Sequence, residues 1–305
     1  MPGLPPPPHP ITSAASIWRL HWLLFRRPRF GFRYLRLLSV ILRTYFLPQW
    51  GAAKRRRVML DLELDHAIPY DQTWMDCYLG FVRLWQGSLG WMHRRFGDDA
   101  LPEMMAFLDG METLFLEARK VFARLDSTLG SRPGPLPAFE SIALHAVDRN
   151  SFCFPSLHVM IVRFNSLRLA EAVRRLAGME AGPGGEHAAE LTFLERRAER
   201  ITESILHVKQ HSISDIPAAL FLLYHLGGTG GIPMGDKAGD ARFLDALFAG
   251  DVHGQRSRAY MAALYARLHA ATAAGTGAHD ALVGFLEGYE AEIGKLLAGL
   301  PAVAP

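Results

Sequence analysis

The chain has 305 residues, half of them apolar, and a net charge of +3, which excludes a wholly disordered chain and allows a sizeable core. The charge is uneven: residues 1–60 contain eleven Lys and Arg and no Asp or Glu. The remainder has 22 Lys and Arg against 30 Asp and Glu, a net charge of −8. Two cysteines exclude a disulfide framework. The opening MPGLPPPPHP lacks the pattern of a secretory signal, so a cytoplasmic location is expected.

The first predicted unit is the N-terminal arm, residues 1–60. Its first ten residues are Pro-rich, and residues 11–50 show helical apolar spacing broken at Pro28 and Pro48. Basic residues alternate there with Trp, Phe and Tyr, a composition that suits an anionic lipid surface. We therefore expect residues 11–57 to contact an anionic membrane surface, as in a peripheral membrane protein. The alternative is a helix pair that packs on the rest of the protein.

Other partners of the arm are less well supported by the sequence. No recognisable nucleic-acid module accompanies it, so nucleic acid is not an expected partner. A membrane-spanning helix requires about 20 mostly apolar residues, and no stretch of the chain meets this requirement.

Residues 61–305 are predicted to form the second unit. Apolar residues at every third or fourth position predict helices over residues 69–91, 102–125, 155–176, 190–224 with a bend at Pro217, 241–248, 257–273 and 279–297. Gly- and Pro-rich breakers separate several of these segments. The predicted fold class is an all-α helical bundle with an amphipathic, basic N-terminal arm.

The segment Phe152–His158 (FCFPSLH) is the first that indicates chemistry. Pro155 suits the first turn of a helix, where its missing N–H group has no intrahelical partner. The Ser156 hydroxyl, the following backbone N–H groups and the positive helix end are then placed to converge on an anion. His158, delivered to the same point, is positioned to donate a proton to a departing oxygen.

The second such segment is Ser204–Asp215 (SILHVKQHSISD). His211 and Asp215 are four residues apart, which places them on one face of a continuous helix. A carboxylate bonded to one ring nitrogen fixes the tautomer and leaves the other nitrogen free to attack phosphorus.

The sequence PSLH, followed about 46 residues later by Ser-x6-His-x3-Asp, resembles the second and third signature motifs of the type 2 phosphatidic acid phosphatase superfamily. That superfamily also includes vanadium haloperoxidases and inositol phosphotransferases. The sequence KQHSISD is most similar to the lipid phosphotransferase branch of the superfamily. The resemblance covers roughly Asp148–Ala219 and, weakly, Leu64–Tyr78. Most of the family spans the membrane, so this chain resembles a divergent form without transmembrane spans.

The resemblance implies a role for each matching residue. His211 would attack phosphorus to give a phosphohistidine, Asp215 would orient it, and His158 would protonate the leaving group. The remaining implied phosphate ligands and candidate cations are Ser156, Ser204, Arg132, Arg149 and Arg200, with Arg124 and Lys209 as further candidates. No metal or cofactor is implied, because fixed N–H donors and cations stabilise the developing charge.

Two departures from the family pattern concern the cationic side of the pocket. Ile205 follows Ser204, where the family has Arg. The Lys-x6-Arg-Pro motif is absent, because Leu125 stands seven residues before Arg132.

The sequence thus predicts a metal-independent phosphoester or diphosphate hydrolase, or a phosphotransferase, acting on a lipid or isoprenoid phosphate. One alternative is a prenyl diphosphate cyclase or lyase, since Asp98, Asp99 and Glu103 (DDALPE) are similar to the acidic cluster of terpene cyclases. Another is a non-catalytic phospholipid-binding protein.

Overall fold

A computed structural model describes residues 9–49, 56–130, 151–178, 186–249 and 254–300. It confirms the predicted all-α helical bundle, which is accompanied by two short strands. The α-helices are α1 (Ala14–Arg26), α2 (Pro28–Ile41), α3 (Leu47–Gln49), α4 (Glu63–Ala67), α5 (Met75–Phe96), α6 (Leu101–Phe122), α7 (Leu157–Ala177), α8 (Ala188–His207), α9 (Asp215–His225), α10 (Lys237–Ala246), α11 (Gly254–Ala273), α12 (Ala278–Glu287) and α13 (Tyr289–Ala298). The strands are β1 (Arg57–Met59) and β2 (Asp126–Thr128).

The helices of the N-terminal arm pack on the bundle. α1 lies along α5 and α2 along α6, so that Leu23 and Leu37 join the same hydrophobic core as the later helices. The approach of α1 to α5 depends on Gly90, where an added Cβ would lie 1.7 Å from the carbonyl oxygen of Ser16. A glycine at this position therefore allows backbone-to-helix contact that no other residue permits.

The two strands hold the segment that precedes α7. β1 and β2 pair in parallel, with Val58 opposite Ser127. Beyond β2, the backbone N–H of Phe152 donates to Asp126 Oδ1 at 3.1 Å, and that of Phe154 donates to Ser127 Oγ at 2.8 Å. These bonds fix the path of the chain into the first turn of α7.

The prediction of one helix over residues 190–224 is wrong, because the structure has two helices there, separated by a loop. α8 ends at His207, and the next residues close a Schellman motif in which Lys209 adopts a φ of 54°. Gln210 N donates to Ile205 O at 3.0 Å and Lys209 N to Leu206 O at 3.2 Å. Helical periodicity continues on both sides of this break, so the apolar pattern alone did not reveal it.

A new helix, α9, starts at Asp215 after the intervening site loop, residues 208–214. Pro217 lies in its first turn, where proline is tolerated, and does not bend a longer helix. The predicted helix over residues 279–297 is likewise two helices, α12 and α13, which meet at Gly288.

The remaining predicted helices are present, with ends that differ by a few residues. Within the described ranges, no helix combines the length and the apolar character needed to cross a bilayer.

Candidate functional site

The start of α7 and the site loop meet inside the bundle. Ser156 is the N-cap of α7, and its hydroxyl oxygen accepts from Val159 N at 3.4 Å. Its own backbone N–H donates to the carbonyl oxygen of Asp215 at 3.4 Å. The two motifs predicted from the sequence therefore lie side by side, and they bring Ser156, His158, His211 and Asp215 together.

The contacts of His211 fix its tautomer. Nδ1 lies 3.0 Å from the carbonyl oxygen of Cys153 and 2.9 Å from Asp215 Oδ2. A carbonyl oxygen only accepts, so Nδ1 carries the proton. In the neutral ring, Nε2 then holds a lone pair, which faces His158 Nδ1 at 3.1 Å and Ser156 Oγ at 3.3 Å.

Asp215 is fully buried beneath His211. Burial raises the pKa of this carboxyl well above its ordinary value, and the hydrogen bond from Ser212 N to Oδ2 at 3.0 Å opposes that rise. The bonds from Ser212 N and His211 Nδ1 both reach Oδ2, so this carboxyl oxygen is held against the imidazole ring. The sequence predicted that His211 and Asp215 share one face of a continuous helix. In the structure they meet across the turn that precedes α9.

Asp65 in α4 is a site residue that the sequence analysis missed. Its Oδ2 accepts from Ser212 Oγ at 2.7 Å and from Leu62 N at 3.2 Å, while Oδ1 accepts from Ile213 N at 2.7 Å. Burial raises the pKa of Asp65 to about 7, although these hydrogen bonds oppose the rise. In LDLELDHAI three acidic residues alternate with leucines, and no local feature distinguishes the buried Asp65 from the exposed Asp61 and Glu63.

Lys209 joins the site loop to the same region. Its ammonium group donates to the carbonyl oxygens of Asp65 and Ile68, and burial lowers its pKa. This side chain, a candidate phosphate ligand from the sequence, thus holds two backbone carbonyls of the α4 region. The unfavourable left-handed backbone at Lys209 is kept in place by these bonds and by the Schellman motif.

Aromatic rings of α5 enclose His158. The ring centroid of Tyr78 lies 4.7 Å from that of His158, and Phe81 contacts it edge to face at 4.6 Å. His158 is 7% exposed and His211 is 4% exposed. The facing nitrogens of the two imidazole rings are therefore enclosed, with an apolar wall on one side.

Two of the predicted phosphate ligands are engaged elsewhere. The Ser204 hydroxyl donates to Ile201 O at 2.6 Å within α8, and the Arg200 guanidinium lies 3.9 Å above the ring of Trp74 and 3.3 Å from Glu203. The prediction assumed one continuous helix in register with His211, and that register is lost where α8 ends.

The remaining candidate cations divide into two groups. Arg124 forms an ion pair with Asp280 at the surface. Arg132 and Arg149 lie outside the described residues.

The acidic segment DDALPE is held by basic side chains. Asp98 pairs with Arg27 and lies 3.2 Å from His93, while Glu103 pairs with Arg168 at 2.6 Å. Across the described part of the chain, no group of three or more His, Cys, Asp or Glu side chains is arranged to hold a metal ion. These contacts favour a structural role for Asp98 and Glu103.

Comparison with known proteins gave no matching family model, curated protein or solved structure. The resemblance carried by PSLH and KQHSISD therefore stays a prediction. The function must be inferred from the arrangement of the side chains.

Proposed function

We propose that the protein is a phosphohydrolase or phosphotransferase that acts on a lipid or isoprenoid phosphate through a phosphohistidine at His211. One observation carries the proposal: His211 Nε2 lies 3.1 Å from His158 Nδ1, while Nδ1 of the same His211 ring lies 2.9 Å from Asp215. A nucleophile, a second imidazole and an orienting carboxylate are thus held in one line of contacts.

The start of α7 supplies the phosphate-binding part of the proposal. Ser156 Oγ lies 3.3 Å from the nucleophilic nitrogen, and the positive end of a 21-residue helix is directed at the same point. Backbone N–H groups at such an end stabilise bound oxyanions without reorganisation. Arg132 and Arg149 remain proposed cationic ligands.

The chemistry follows from the protonation of the two rings. The lone pair of His211 Nε2 forms a bond to phosphorus, the bond from phosphorus to the leaving oxygen breaks, and a cationic His158 gives its proton to that oxygen. The phosphorylated His211 ring is positive and is balanced by Asp215. His158, now neutral, then takes a proton from water or an alcohol, whose oxygen attacks phosphorus as the bond to Nε2 breaks.

Substrate entry requires one local change. The lone pair of His211 Nε2 is engaged in the hydrogen bond with His158 Nδ1. The phosphoryl group must therefore enter between the two rings and break this hydrogen bond. Tyr78 and Phe81 then offer an apolar surface beside the leaving group. An aromatic wall next to a phosphate site suits an ester with a hydrocarbon chain, which supports a lipid or isoprenoid substrate.

The test is release of phosphate from phosphatidic acid and from prenyl diphosphates in the presence of a chelator. We expect turnover by the unaltered protein and loss of nearly all of it in His211→Ala and His158→Ala. His66→Ala is the matched control, because His66 is solvent-exposed and pairs only with Asp61 among the described residues. Head-group exchange with an added alcohol distinguishes transfer from hydrolysis.

Two outcomes would contradict the proposal. Absence of both phosphate release and head-group exchange in the unaltered protein would leave the non-catalytic phospholipid-binding alternative. Equal activity in His211→Ala and the His66→Ala control would exclude His211 as nucleophile.

A further inference from the structure

The α1–α2 pair has two apolar faces, and only one of them is used by the bundle. Leu20, Leu23, Phe30 and Leu37 are buried against α5 and α6. Large apolar side chains also remain on the opposite side, where the exposed fractions of Phe25 and Phe32 are 85% and 70%, and that of Trp18 is 74%. We name these outward apolar side chains of α1, α2 and the turn that follows α2 the outer stripe; its members are Trp18, Trp22, Phe25, Phe32, Leu35, Leu38 and Leu42.

The spacing of the outer stripe is helical. On α1 its members recur at intervals of four and three residues, and on α2 at intervals of three, with Leu42 four residues after Leu38, so each helix presents one outward row. The two helices are adjacent, because Gly31 of α2 lies against the Leu24 carbonyl of α1. Soluble monomers rarely leave so many large apolar groups contiguous, and such a patch indicates an interaction surface.

Apart from Arg19, which donates to His93 Nδ1 at 2.9 Å, the arginines of α1, α2 and the turn that follows α2 fall into two sets. Arg27, Arg33 and Arg36 form ion pairs with Asp98, Asp109 and Glu112 of the bundle. These three side chains help to fasten the arm to the bundle.

The second set is free of acidic partners. Arg26, Arg29 and Arg43 are exposed beside the outer stripe and have no acidic partner in the described part of the chain. An apolar row with unpaired cations at its rim is the pattern of a helix that lies in the interface of an anionic bilayer.

We propose that the outer stripe inserts into the headgroup region of a phospholipid bilayer, with Arg26, Arg29 and Arg43 against anionic headgroups. Face-to-face pairing of two outer stripes fits less well, because α1 and α2 contain no Asp or Glu to meet these arginines. Insertion of the aromatic groups adds to the attraction between the arginines and the headgroups. This inference does not depend on the proposed function.

The first test is co-sedimentation with vesicles of phosphatidylcholine and phosphatidylserine. The variant Phe25→Ser with Phe32→Ser should lower the partition coefficient by about tenfold or more, because both rings leave water on binding. Met234→Ser is the matched control, since Met234 is 76% exposed on the loop between α9 and α10. All three substituted positions are exposed, so both variants should keep the fold, and an unchanged circular dichroism spectrum checks this.

The second test places the surface in the bilayer. Trp18 fluorescence should be quenched by lipids brominated in their acyl chains, and Trp18→Phe should remove that part of the quenching. Equal vesicle binding by the double Phe variant and the unaltered protein would overturn the proposal. So would sedimentation equilibrium showing a dimer that the double Phe variant dissociates, in a protein that binds no vesicles. His211→Ala should bind vesicles as the unaltered protein does, which separates this result from any failure of catalysis.

Discussion

Asp65→Asn tests how the site loop is held. The carboxyl of Asp65 lies between α4 and the site loop, where it accepts hydrogen bonds from Ser212, Ile213 and Leu62. The amide of the variant keeps one acceptor oxygen for Ile213 N, and its NH2 group is able to donate to Ser212 Oγ but cannot accept from Leu62 N. The variant never ionises, so the change of the stability difference with pH reports the charge of Asp65.

The expected change in the free energy of unfolding follows from the raised pKa of Asp65. Burial raises it from 3.8 to about 7 in the folded protein. Because the folded-state pKa lies above the unfolded one, the stability contributed by this group is present below about pH 4 and is lost as pH rises to 7. At about 1.4 kcal/mol per pH unit, this interval corresponds to a loss of roughly 4 kcal/mol in the free energy of unfolding.

The assay is urea unfolding of both proteins between pH 4 and pH 8. We expect similar free energies of unfolding near pH 4. At pH 8 the Asp65→Asn variant should be more stable than the unaltered protein by a few kcal/mol. A difference that does not change with pH, or one that comes to favour the unaltered protein at high pH, would refute the reasoning. The second result would mean that the three hydrogen bonds outweigh burial of the charge.

Further predictions concern the nucleophile and the helix contacts. Asp215→Asn should lower kcat by about 10³-fold or more while the fold is retained, because an amide carries no negative charge to balance the positive phosphorylated ring of His211; steady-state kinetics and circular dichroism check this. Gly90→Ala should destabilise the protein by about 1–3 kcal/mol in urea unfolding, because its Cβ would meet the carbonyl oxygen of Ser16, and an unchanged stability would exclude the close α1–α5 approach. Gly294→Ala, in α13 with nothing within 4 Å of the added Cβ, should stabilise by about 0.5–1 kcal/mol in the same assay.

Local pattern was sufficient to predict most of the helical segments and the N-cap of α7. Apolar periodicity reports which face of a helix is buried, and this signal is stronger in α1 and α2 than in α5, α6 and α7. Ser156 marks the helix start as its N-cap, since the capping preference is set by neighbouring residues alone. The expected place of Pro155 in the first turn is wrong, because the helix begins at Leu157 and Pro155 precedes the cap.

The break between α8 and α9 was not predictable from local pattern. The left-handed residue there is Lys209 rather than Gly, and it is kept in place by carbonyls of Asp65 and Ile68, about 140 residues away in sequence. The same tertiary contacts explain why Asp65 was missed and why Ser204, an expected phosphate ligand, is not on the same helix face as His211. His211 and Asp215 meet nevertheless, because a short turn also brings residues four apart together.

The composition of the arm predicts contact with a membrane surface, but it does not predict which of its arginines pair with the bundle. Composition counts all arginines alike, whereas the structure separates those that pair with Asp98, Asp109 and Glu112 from those beside the outer stripe. That separation depends on which helix face meets α5 and α6.

Trapping of the covalent intermediate tests the central claim most directly. The protein would be mixed with phosphatidic acid labelled in its phosphate, quenched in alkali to preserve phosphohistidine, digested and analysed by mass spectrometry. The proposed function predicts one acid-labile phosphoryl group on His211, and none in His211→Ala. Release of labelled phosphate with no label on His211, or with label on another residue, would contradict it.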